Sequence, residues 1–410
     1  MTNRFRYFII ISTILIGFLS SCNKDNYAEK LKEKEDFYAQ NKQNSLNLFT
    51  PVMYHMSDNM NEELFKIVHI SDAHVSSWST GNNSRNPNNL KEAVRYTNEA
   101  DTKINAMVAT GDHIGNHIPT TRSEAIGFFE VFTNTLYTNN RIPTFTSTGN
   151  HDANMMNPHS NLFAFSKREL YNLSTSKINY AINQEGIENY YYADIANPMG
   201  GTIRIIALDV VDQDEMIYSA QHNAILSQKQ INWLCHTALK EKMTDNHSVI
   251  ILIHHPLPPN DEGMGQAIPN DFLYNWHLIP EVIEAFRSKQ IFAQKYRNKL
   301  NEADSISVDV SFVETPGEFI CYLGGHLHTY INYEVKTPSY STLQKQIMIL
   351  ANNMSPSDIS PTTDIQRSDT GLRNNTFNIY SIDTKNKKIY ITFFGATGFY
   401  YPQILTLRYL

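Results

Sequence analysis

Histidine and aspartate residues cluster in five short motifs that follow one another between Ser71 and His328. The motifs are Ser71-Asp72-Ala73-His74, Gly111-Asp112, Gly149-Asn150-His151-Asp152, His254-His255-Pro256 and Gly325-His326-Leu327-His328. Carboxylates, imidazoles and an amide carbonyl are ligands for divalent metal ions. Histidine also exchanges protons near neutral pH. The residue types therefore indicate a metal centre with acid–base chemistry.

Each motif directly follows a short apolar or β-branched run that predicts a strand. Ligand sites in open α/β sheets lie outside the carboxyl ends of the strands. Five strand ends that point in one direction would bring the side chains of all five motifs into one pocket. The predicted strands that carry the motifs are Phe65 to Ile70, Ala106 to Thr110, Pro143 to Thr148, Val249 to Ile253 and Phe319 to Leu323.

The donor set contains two carboxylates, three or four imidazoles and an amide carbonyl, without a thiolate. This mixture suits Zn, Mn or Fe and differs from a structural zinc site. Seven ligands are too many for one tetrahedral ion but suit two ions that share a bridging carboxylate. Two ions roughly 3.5–4 Å apart can hold a phosphate group and activate water for in-line displacement. The donor set therefore predicts a binuclear centre.

A glycine precedes a candidate ligand in three motifs, at Gly111, Gly149 and Gly325. At these places a strand ends and the backbone must turn sharply in a crowded environment. Glycine tolerates such positions because it has no Cβ atom.

The ordered set of motifs resembles the calcineurin-like metallophosphoesterase superfamily, from residue 65 to about residue 395. Two further segments support the resemblance. Tyr190-Tyr191-Tyr192 precedes a predicted strand at Ile203 to Leu208, and Gln230-Ile231-Asn232-Trp233-Leu234 is similar to the Gln-x-x-Trp-Leu helix of the family.

The resemblance implies an α/β fold, a four-layer αββα sandwich of two packed mixed sheets flanked by helices. It implies one metal ion held by Asp72, His74 and His328, and another held by Asn150, His254 and His326. Asp112 would bridge the two ions. In such enzymes a metal-bridging hydroxide attacks phosphorus, and His151 would protonate or stabilise the leaving oxygen.

One position departs from the pattern of the family. Many members carry Asp or Asn three residues after the Asp of the Gly-Asp motif, where it orients the catalytic histidine, but this chain has Gly115. Asp152, Asn116 or His117 is expected to take over that task, and Asp152 is counted with His151 as a catalytic candidate.

A narrower resemblance links the run from Thr110 to His117, followed by Thr121-Arg122, to acid-sphingomyelinase-like phosphodiesterases. The spacing from Asp112 to His117 is one residue longer than that match requires, and the chain has no saposin-like cysteine-rich segment.

Adjacent histidines at 254 and 255 leave a choice of ligand. The ligand of the family usually lies two residues before a proline, which favours His254 because Pro256 follows. His255 is then expected beside the ligands or facing the substrate. Histidines without such a context are expected at the surface or in the core, namely His69, His222, His236, His247 and His277.

The first 22 residues have the features of an export signal. Arg4 and Arg6 precede a mostly apolar stretch from Tyr7 to Leu19, which is short for a membrane span. Leu19-Ser20-Ser21-Cys22 resembles a bacterial lipobox, which implies a lipid on Cys22; an ordinary secretory signal is the alternative. Both interpretations predict export to the cell envelope, on its periplasmic or surface face. Residues 23–60 are polar and predict a tether.

Residues 61–410 are expected to form one metallophosphoesterase domain, because the motifs that must meet span most of it. Within it, residues 257–318 predict an insertion or lid with a helix from Ile279 to about Lys299. Residues 336–410 predict a strand-rich part that completes the sandwich. Helical spacing also predicts helices at Leu90 to Ala100, Ser123 to Leu136 and Gln228 to Lys242.

The charge and cysteine content of the chain limit the classes of binding partner that are expected. Loss of the signal moves the formal charge from −7 to −9, since Arg4 and Arg6 leave, and no basic cluster of the kind that binds polymeric nucleic acid is present. Cys235 and Cys321 are expected to be buried free thiols.

Two functions remain open for the chain. It is either a hydrolase of phosphate mono- or diesters (nucleotides, glycerophosphodiesters, lipid headgroups or phosphosugars) or an inactive binding lipoprotein of the same fold.

Overall fold

The structure is a computed structural model, and it describes twelve stretches of the chain. These are residues 60–76, 85–100, 102–115, 120–138, 140–154, 164–212, 224–260, 273–297, 305–337, 345–354, 375–395 and 404–409. The export signal, most of the tether, Asn116 and His117 lie outside them. Among the described helices, none combines the length and apolar character that crossing a membrane requires.

The first sheet has six strands in the order β17-β16-β15-β1-β2-β3. Strands β1, β2 and β3 run parallel to one another, whereas β15 pairs antiparallel with β1. The parallel strands are buried along their whole length, which explains their continuous apolar and β-branched sequences. The bounds are β1 Phe65–Ile70, β2 Ala106–Thr110, β3 Thr144–Ser147, β15 Thr376–Asp383, β16 Lys388–Gly395 and β17 Ile404–Arg408.

The second sheet has seven strands in the order β13-β14-β12-β8-β6-β5-β4. Its central strands β6, β8, β12 and β14 are parallel, and the outer strands pair antiparallel. The bounds are β4 Asn183–Gln184, β5 Tyr191–Ala196, β6 Thr202–Ala207, β8 His247–Leu252, β12 Glu318–Gly324, β13 Ile331–Glu334 and β14 Ile347–Leu350.

Three of the described helices begin at polar caps, and the helices lie on the outer faces of the sheets. Thr121 and Ser166 form capping boxes with a glutamate three residues later, and Ser227 caps the next helix. The bounds are α1 Arg85–Glu99, α2 Arg122–Tyr137, α3 Lys167–Leu173, α4 Gln228–Trp233 and α5 Leu278–Ser288. Wider π-helical turns at Leu234–Ala238 continue α4.

Three apolar clusters define four layers. One cluster lies between the two sheets and includes Phe65 and Ile67 of β1 with Ile250 and Leu252 of β8. A second joins the first sheet to α1 and α2, and a third joins the second sheet to α4 and α5. The predicted four-layer αββα sandwich with two mixed sheets is confirmed.

The helix predicted from Ile279 to about Lys299 is wrong in its second half. Helix α5 ends at Ser288, because Lys289 adopts a left-handed backbone with φ of 54°. The chain then forms β10 (Ile291–Arg297), which pairs antiparallel with β11 (Ser305–Ser311). Strand β11 alternates exposed polar and buried apolar residues, which is a period-two signal. The predicted insertion therefore contains a β-hairpin. A further short parallel pair joins β7 (Ala224–Ile225) to β9 (Leu273–Tyr274).

Candidate metal centre

All five motifs meet at one end of the sandwich, and they come from both sheets. Motifs one to three follow β1, β2 and β3 of the first sheet, while motifs four and five follow β8 and β12 of the second. Each strand belongs to the parallel part of its sheet, so the carboxyl ends of neighbouring strands lie side by side. The candidate site therefore sits where the two sheets face each other.

Asp72, His74 and His328 form the first group of candidate ligands. His328 Nε2 lies 3.3 Å from Asp72 Oδ1 and 2.9 Å from His74 Nε2. His74 Nε2 lies 3.8 Å from the same carboxylate oxygen. Two imidazole nitrogens and one carboxylate oxygen thus face a common point.

Asp112 lies between this group and the second one. Its Oδ2 atom is 3.1 Å from His254 Nε2, 3.9 Å from His74 Nε2 and 3.8 Å from His151 Nε2. The other oxygen accepts a hydrogen bond from the backbone N–H of His151 at 2.9 Å. One oxygen is thereby fixed by the backbone, and the other faces histidines of both groups.

Asn150, His254 and His326 form the second group. His326 Nδ1 is 3.1 Å from Asn150 Oδ1. His254 Nδ1 donates to the carbonyl of Thr110 at 2.7 Å, which directs its Nε2 toward Asp112. The structure thus brings together all seven residues that the sequence nominates as ligands.

The donor atoms fit divalent cations. Among the residues that the structure describes, four overlapping triads each have ligand atoms within 4.8 Å of one another. These are Asp72-His74-His328, His74-Asp112-His151, Asp72-Asp112-His254 and His254-His255-His326. Mixed oxygen and nitrogen donors without sulfur suit Zn, Mn or Fe.

The comparison with protein families agrees with this geometry. The model of the calcineurin-like phosphoesterases, Metallophos, matches residues 65–330. The chain belongs to the calcineurin-like phosphoesterase family. A comparison with curated proteins finds no match. Members of this family generally bind two divalent metal ions, in keeping with the two groups of candidate ligands.

Burial and neighbouring charges act together on the pKa values of the candidate metal ligands. Burial alone would raise the pKa of Asp112, but the neighbouring His254, His151 and His74 hold it well below its usual range. Burial by itself would lower the pKa of His254. The negative charge of the Asp112 carboxylate has the opposite effect, and the pKa of His254 is raised to about 9. Burial also lowers the pKa of His326 to about 3, so this imidazole is neutral and offers a lone pair.

Five candidate ligands adopt left-handed backbone conformations, a feature that the sequence analysis missed. Positive φ angles, between 44° and 72°, occur at Asp72, His74, Asp112, His326 and His328. Such conformations are uncommon for residues with a Cβ atom and concentrate at functional sites. Hydrogen bonds between loops hold them, for example Asp72 N–H to Gly111 O at 3.2 Å and His74 N–H to Asp112 O at 3.0 Å.

The three glycines of the motifs allow neighbouring motifs to approach closely. A Cβ atom at Gly149 would overlap the backbone nitrogen and Oδ1 of Asp112, and one at Gly325 would overlap Ser71 Oγ. A Cβ atom at Gly111 would overlap the His254 ring. Of these three glycines, Gly111 alone also has a positive φ angle. At Gly149 and Gly325, the lack of space for a Cβ atom explains why glycine is present.

Asp152 links the second and third motifs through backbone contacts. Its Oδ1 accepts from His113 N–H at 2.7 Å and Ile114 N–H at 3.4 Å, and its Oδ2 accepts from Gly149 N–H at 2.8 Å. Burial, with the nearby Asp112, raises the pKa of Asp152 to about 8. The Asp152 side chain thus fixes the loop that carries His151. Its assignment as a catalytic residue stays a prediction.

Gly115 replaces the polar residue that the family often carries there, and its surroundings explain the departure. A Cβ atom at Gly115 would lie 3.1 Å from both the Cβ and the carbonyl oxygen of His74. Gly115 N–H donates to Val75 O at 2.9 Å, so the loop lies tightly against the first motif.

His255 lies behind the second group of ligands. Its ring stacks on His326 with centroids 4.2 Å apart and meets His254 edge-on at 5.3 Å. The side chain is fully buried and stacks on His326, which favours a place beside the ligands over one that faces the substrate.

Proposed function

We propose that this protein hydrolyses phosphate esters in a metal-dependent reaction at the cell envelope. The observation that carries the proposal is the position of Asp112, whose Oδ2 faces His254 of one ligand group and His74 of the other. Family membership supports a metal-dependent phosphoesterase in general.

The two ligand groups would hold one ion each, Asp72, His74 and His328 the first and Asn150, His254 and His326 the second. When bound, two divalent ions neutralise phosphate charge and activate water near neutral pH. The carboxylates of Asp72 and Asp112 are buried and negatively charged, so the empty donor set would repel a phosphate group and the loaded one attract it.

His151 is the residue placed to serve the leaving group. Its Nε2 lies 3.8 Å from Asp112 Oδ2, and its backbone N–H is bound to the other oxygen of the same carboxylate. The ring is therefore held at the edge of the centre without belonging to either predicted ligand triad. In the proposed reaction the protonated imidazolium of His151 donates its Nε2 proton to the departing ester oxygen and is left as neutral imidazole.

The test is hydrolysis of p-nitrophenyl phosphate and bis-p-nitrophenyl phosphate by the purified mature protein. Activity is expected to vanish after chelation and to return with Zn²⁺, Mn²⁺ or Fe²⁺. Asp112→Asn is expected to abolish it, whereas Asp309→Asn, at an exposed position of β11, retains it. Full activity of the chelated protein would overturn the metal mechanism. No hydrolysis by the loaded protein would favour the inactive binding lipoprotein. The ratio of the two rates separates monoesterase from diesterase.

We further infer a lipid anchor at Cys22, on the basis of the lipobox-like Leu19-Ser20-Ser21-Cys22 after an apolar stretch. An anchored enzyme would act on small phosphate esters in the envelope. Cys22→Ser is expected to move the protein from the membrane fraction to the soluble exported fraction. Retention of the variant in the membrane fraction would contradict the anchor.

A further inference from the structure

Ser71 is a buried residue of the first motif for which ligand chemistry gives no role. Its side chain is 1% exposed. The hydroxyl lies 2.6 Å from Asp72 Oδ2 and 2.9 Å from the carbonyl oxygen of Thr110. The same carbonyl accepts the hydrogen bond from His254 Nδ1. Ser71 thus touches the fixed surroundings of both ligand groups.

A hydroxyl donates one proton, so Ser71 satisfies one of these acceptors at a time. The Asp72 carboxylate is both nearer and charged, and hydrogen bonds to ionised acceptors are shorter and about twice as strong. Donation to Asp72 Oδ2 is therefore favoured over donation to the neutral Thr110 carbonyl, which is already bound by His254.

The two oxygens of Asp72 have different surroundings. Oδ2 is bound by the Ser71 hydroxyl, whereas Oδ1 lies 3.3 Å from His328 Nε2 and 3.8 Å from His74 Nε2. The His326 N–H lies 3.1–3.2 Å from both oxygens. A partial rotation of the carboxylate about its Cβ–Cγ bond would move Oδ2 away from Ser71 and break this contact.

The neighbouring backbone holds Ser71 in place. Met354 N–H donates to the Ser71 carbonyl at 2.9 Å. The Oγ atom occupies the space that a Cβ atom at Gly325 would take. The glycine of the last motif and the serine of the first therefore fit together across the two sheets.

We propose that Ser71 is a positioning residue of the metal centre, which holds Asp72 Oδ2 so that Oδ1 faces the ion shared with His74 and His328. This inference rests on the proposed function, because it assumes that these residues bind an ion. Partners that orient metal ligands typically change metal affinity 10–100-fold when they are removed.

Ser71→Ala tests the role, with Ser147→Ala as the matched control. Ser147 is also a buried serine next to a strand end of the first sheet, and its Oγ has no hydrogen-bond partner within the part of the chain that the structure describes. The measurement is the stepwise affinity for Zn²⁺ in competition with a chromophoric chelator, in the full-length mature protein without substrate.

Ser71→Ala is expected to weaken one of two Zn²⁺ binding steps by roughly 10–100-fold and to leave the other nearly unchanged. Ser147→Ala is expected to match the wild type in both steps. The Co²⁺-loaded Ser71→Ala variant is expected to show altered d–d absorption, because the carboxylate of one ligand group is no longer fixed. Thermal unfolding of the metal-free variants shows whether each has folded.

Unchanged Zn²⁺ affinity in a folded Ser71→Ala variant would overturn the proposal. Equal weakening of both steps together with a lower metal-free Tm would also overturn it, because it indicates a general structural role. Wild-type protein that binds two Zn²⁺ ions but hydrolyses no phosphate ester would defeat the proposed function alone, since the affinities are measured without substrate.

Discussion

At the residue scale, the geometry of the candidate site depends on two things: the types of the ligand residues, and the close approach of the backbones of the motifs that carry them. The motifs and their resemblance to the family were enough to nominate the seven residues that meet, because each motif follows a strand end. The left-handed conformations of Asp72, His74 and Asp112 could not be predicted. They depend on hydrogen bonds between loops from different strands, which local propensity does not encode.

Gly149, the first residue of the third motif, gives the first prediction. Gly149→Ala is expected to abolish hydrolysis and metal binding, because the added Cβ would overlap the backbone nitrogen and Oδ1 of Asp112. Gly127→Ala is the control, since a Cβ there meets nothing within 4 Å and the residue lies inside α2. It is expected to stabilise the fold by about 0.5–1 kcal/mol. Chelator competition and chemical denaturation measure the two effects; normal metal binding by Gly149→Ala would contradict the crowding argument.

His151→Gln tests the role of proton donation. Hydrolysis of an alkyl phosphate ester is expected to fall roughly 10²–10⁴-fold, with both metal ions retained. The loss is expected to be much smaller for a p-nitrophenyl ester, because p-nitrophenolate leaves without a proton. His236→Gln, at an exposed position, serves as the control. Equal losses for both esters would argue against general acid catalysis.

At the element scale, β3 is an edge strand of the first sheet, and Tyr191 of the second sheet contacts its open edge. The Tyr191 hydroxyl on β5 accepts from Thr146 N–H at 2.9 Å and donates to Thr146 O at 2.7 Å. The Tyr191 hydroxyl thus satisfies the backbone N–H and C=O of Thr146, to which a further strand would otherwise pair. The β10–β11 hairpin was missed in the sequence because helix-like and strand-like spacing compete in short segments.

Tyr191→Phe is expected to destabilise the protein by about 1–3 kcal/mol, because it leaves the N–H and C=O of Thr146 buried without partners. Tyr192→Phe is the matched control on the same strand. Its hydroxyl has no hydrogen-bond partner among the described residues, and a phenyl ring keeps the contact with the Arg204 guanidinium, 4.0 Å from the ring centre. Denaturant unfolding of both variants is the measurement, and equal stabilities would refute the edge-covering role.

Lys66 gives a prediction for pH. This buried residue of β1 donates to Leu64 O at 3.1 Å, and burial lowers the pKa of its ammonium to about 8. Below pH 8 the folded state must hold a buried charge that the unfolded chain exposes to water. Between about pH 8 and pH 10.5, Lys66 is mostly neutral in the folded protein but still protonated in the unfolded chain. The free energy of unfolding of the wild type therefore rises with pH over this range. Lys66→Met is expected to stabilise the fold by roughly 1–3 kcal/mol at pH 7 and by less at pH 10, measured by urea unfolding. A constant difference across pH would contradict this.

At the scale of the whole molecule, the site exists only when both sheets are assembled. The four-layer architecture was predictable from the resemblance and the strand pattern, but the division of the five motifs between two sheets was not visible in the sequence. Pairing partners that are distant in the chain decide that division, and no local signal reports them.

Metal binding is expected to stabilise the folded chain, since the unfolded chain has no preformed site. Zn²⁺ at about 100 times its dissociation constant should add about 2.7 kcal/mol per site. Calorimetry with and without Zn²⁺ measures the shift in Tm. Asp112→Asn should lose most of the shift, and a Zn²⁺-independent Tm in the wild type would contradict binding at the folded site.

The pairing of β1 with β15 has a consequence for folding time. His69 and Tyr380 on these strands are joined by a hydrogen bond of 2.9 Å across 311 residues of chain. The strand that carries the first motif therefore lacks its antiparallel neighbour until most of the polypeptide has left the ribosome. Folds dominated by such distant pairings form slowly. A chain truncated before Thr376 would expose β1 as an open edge, and we expect it to aggregate instead of folding with a partial site.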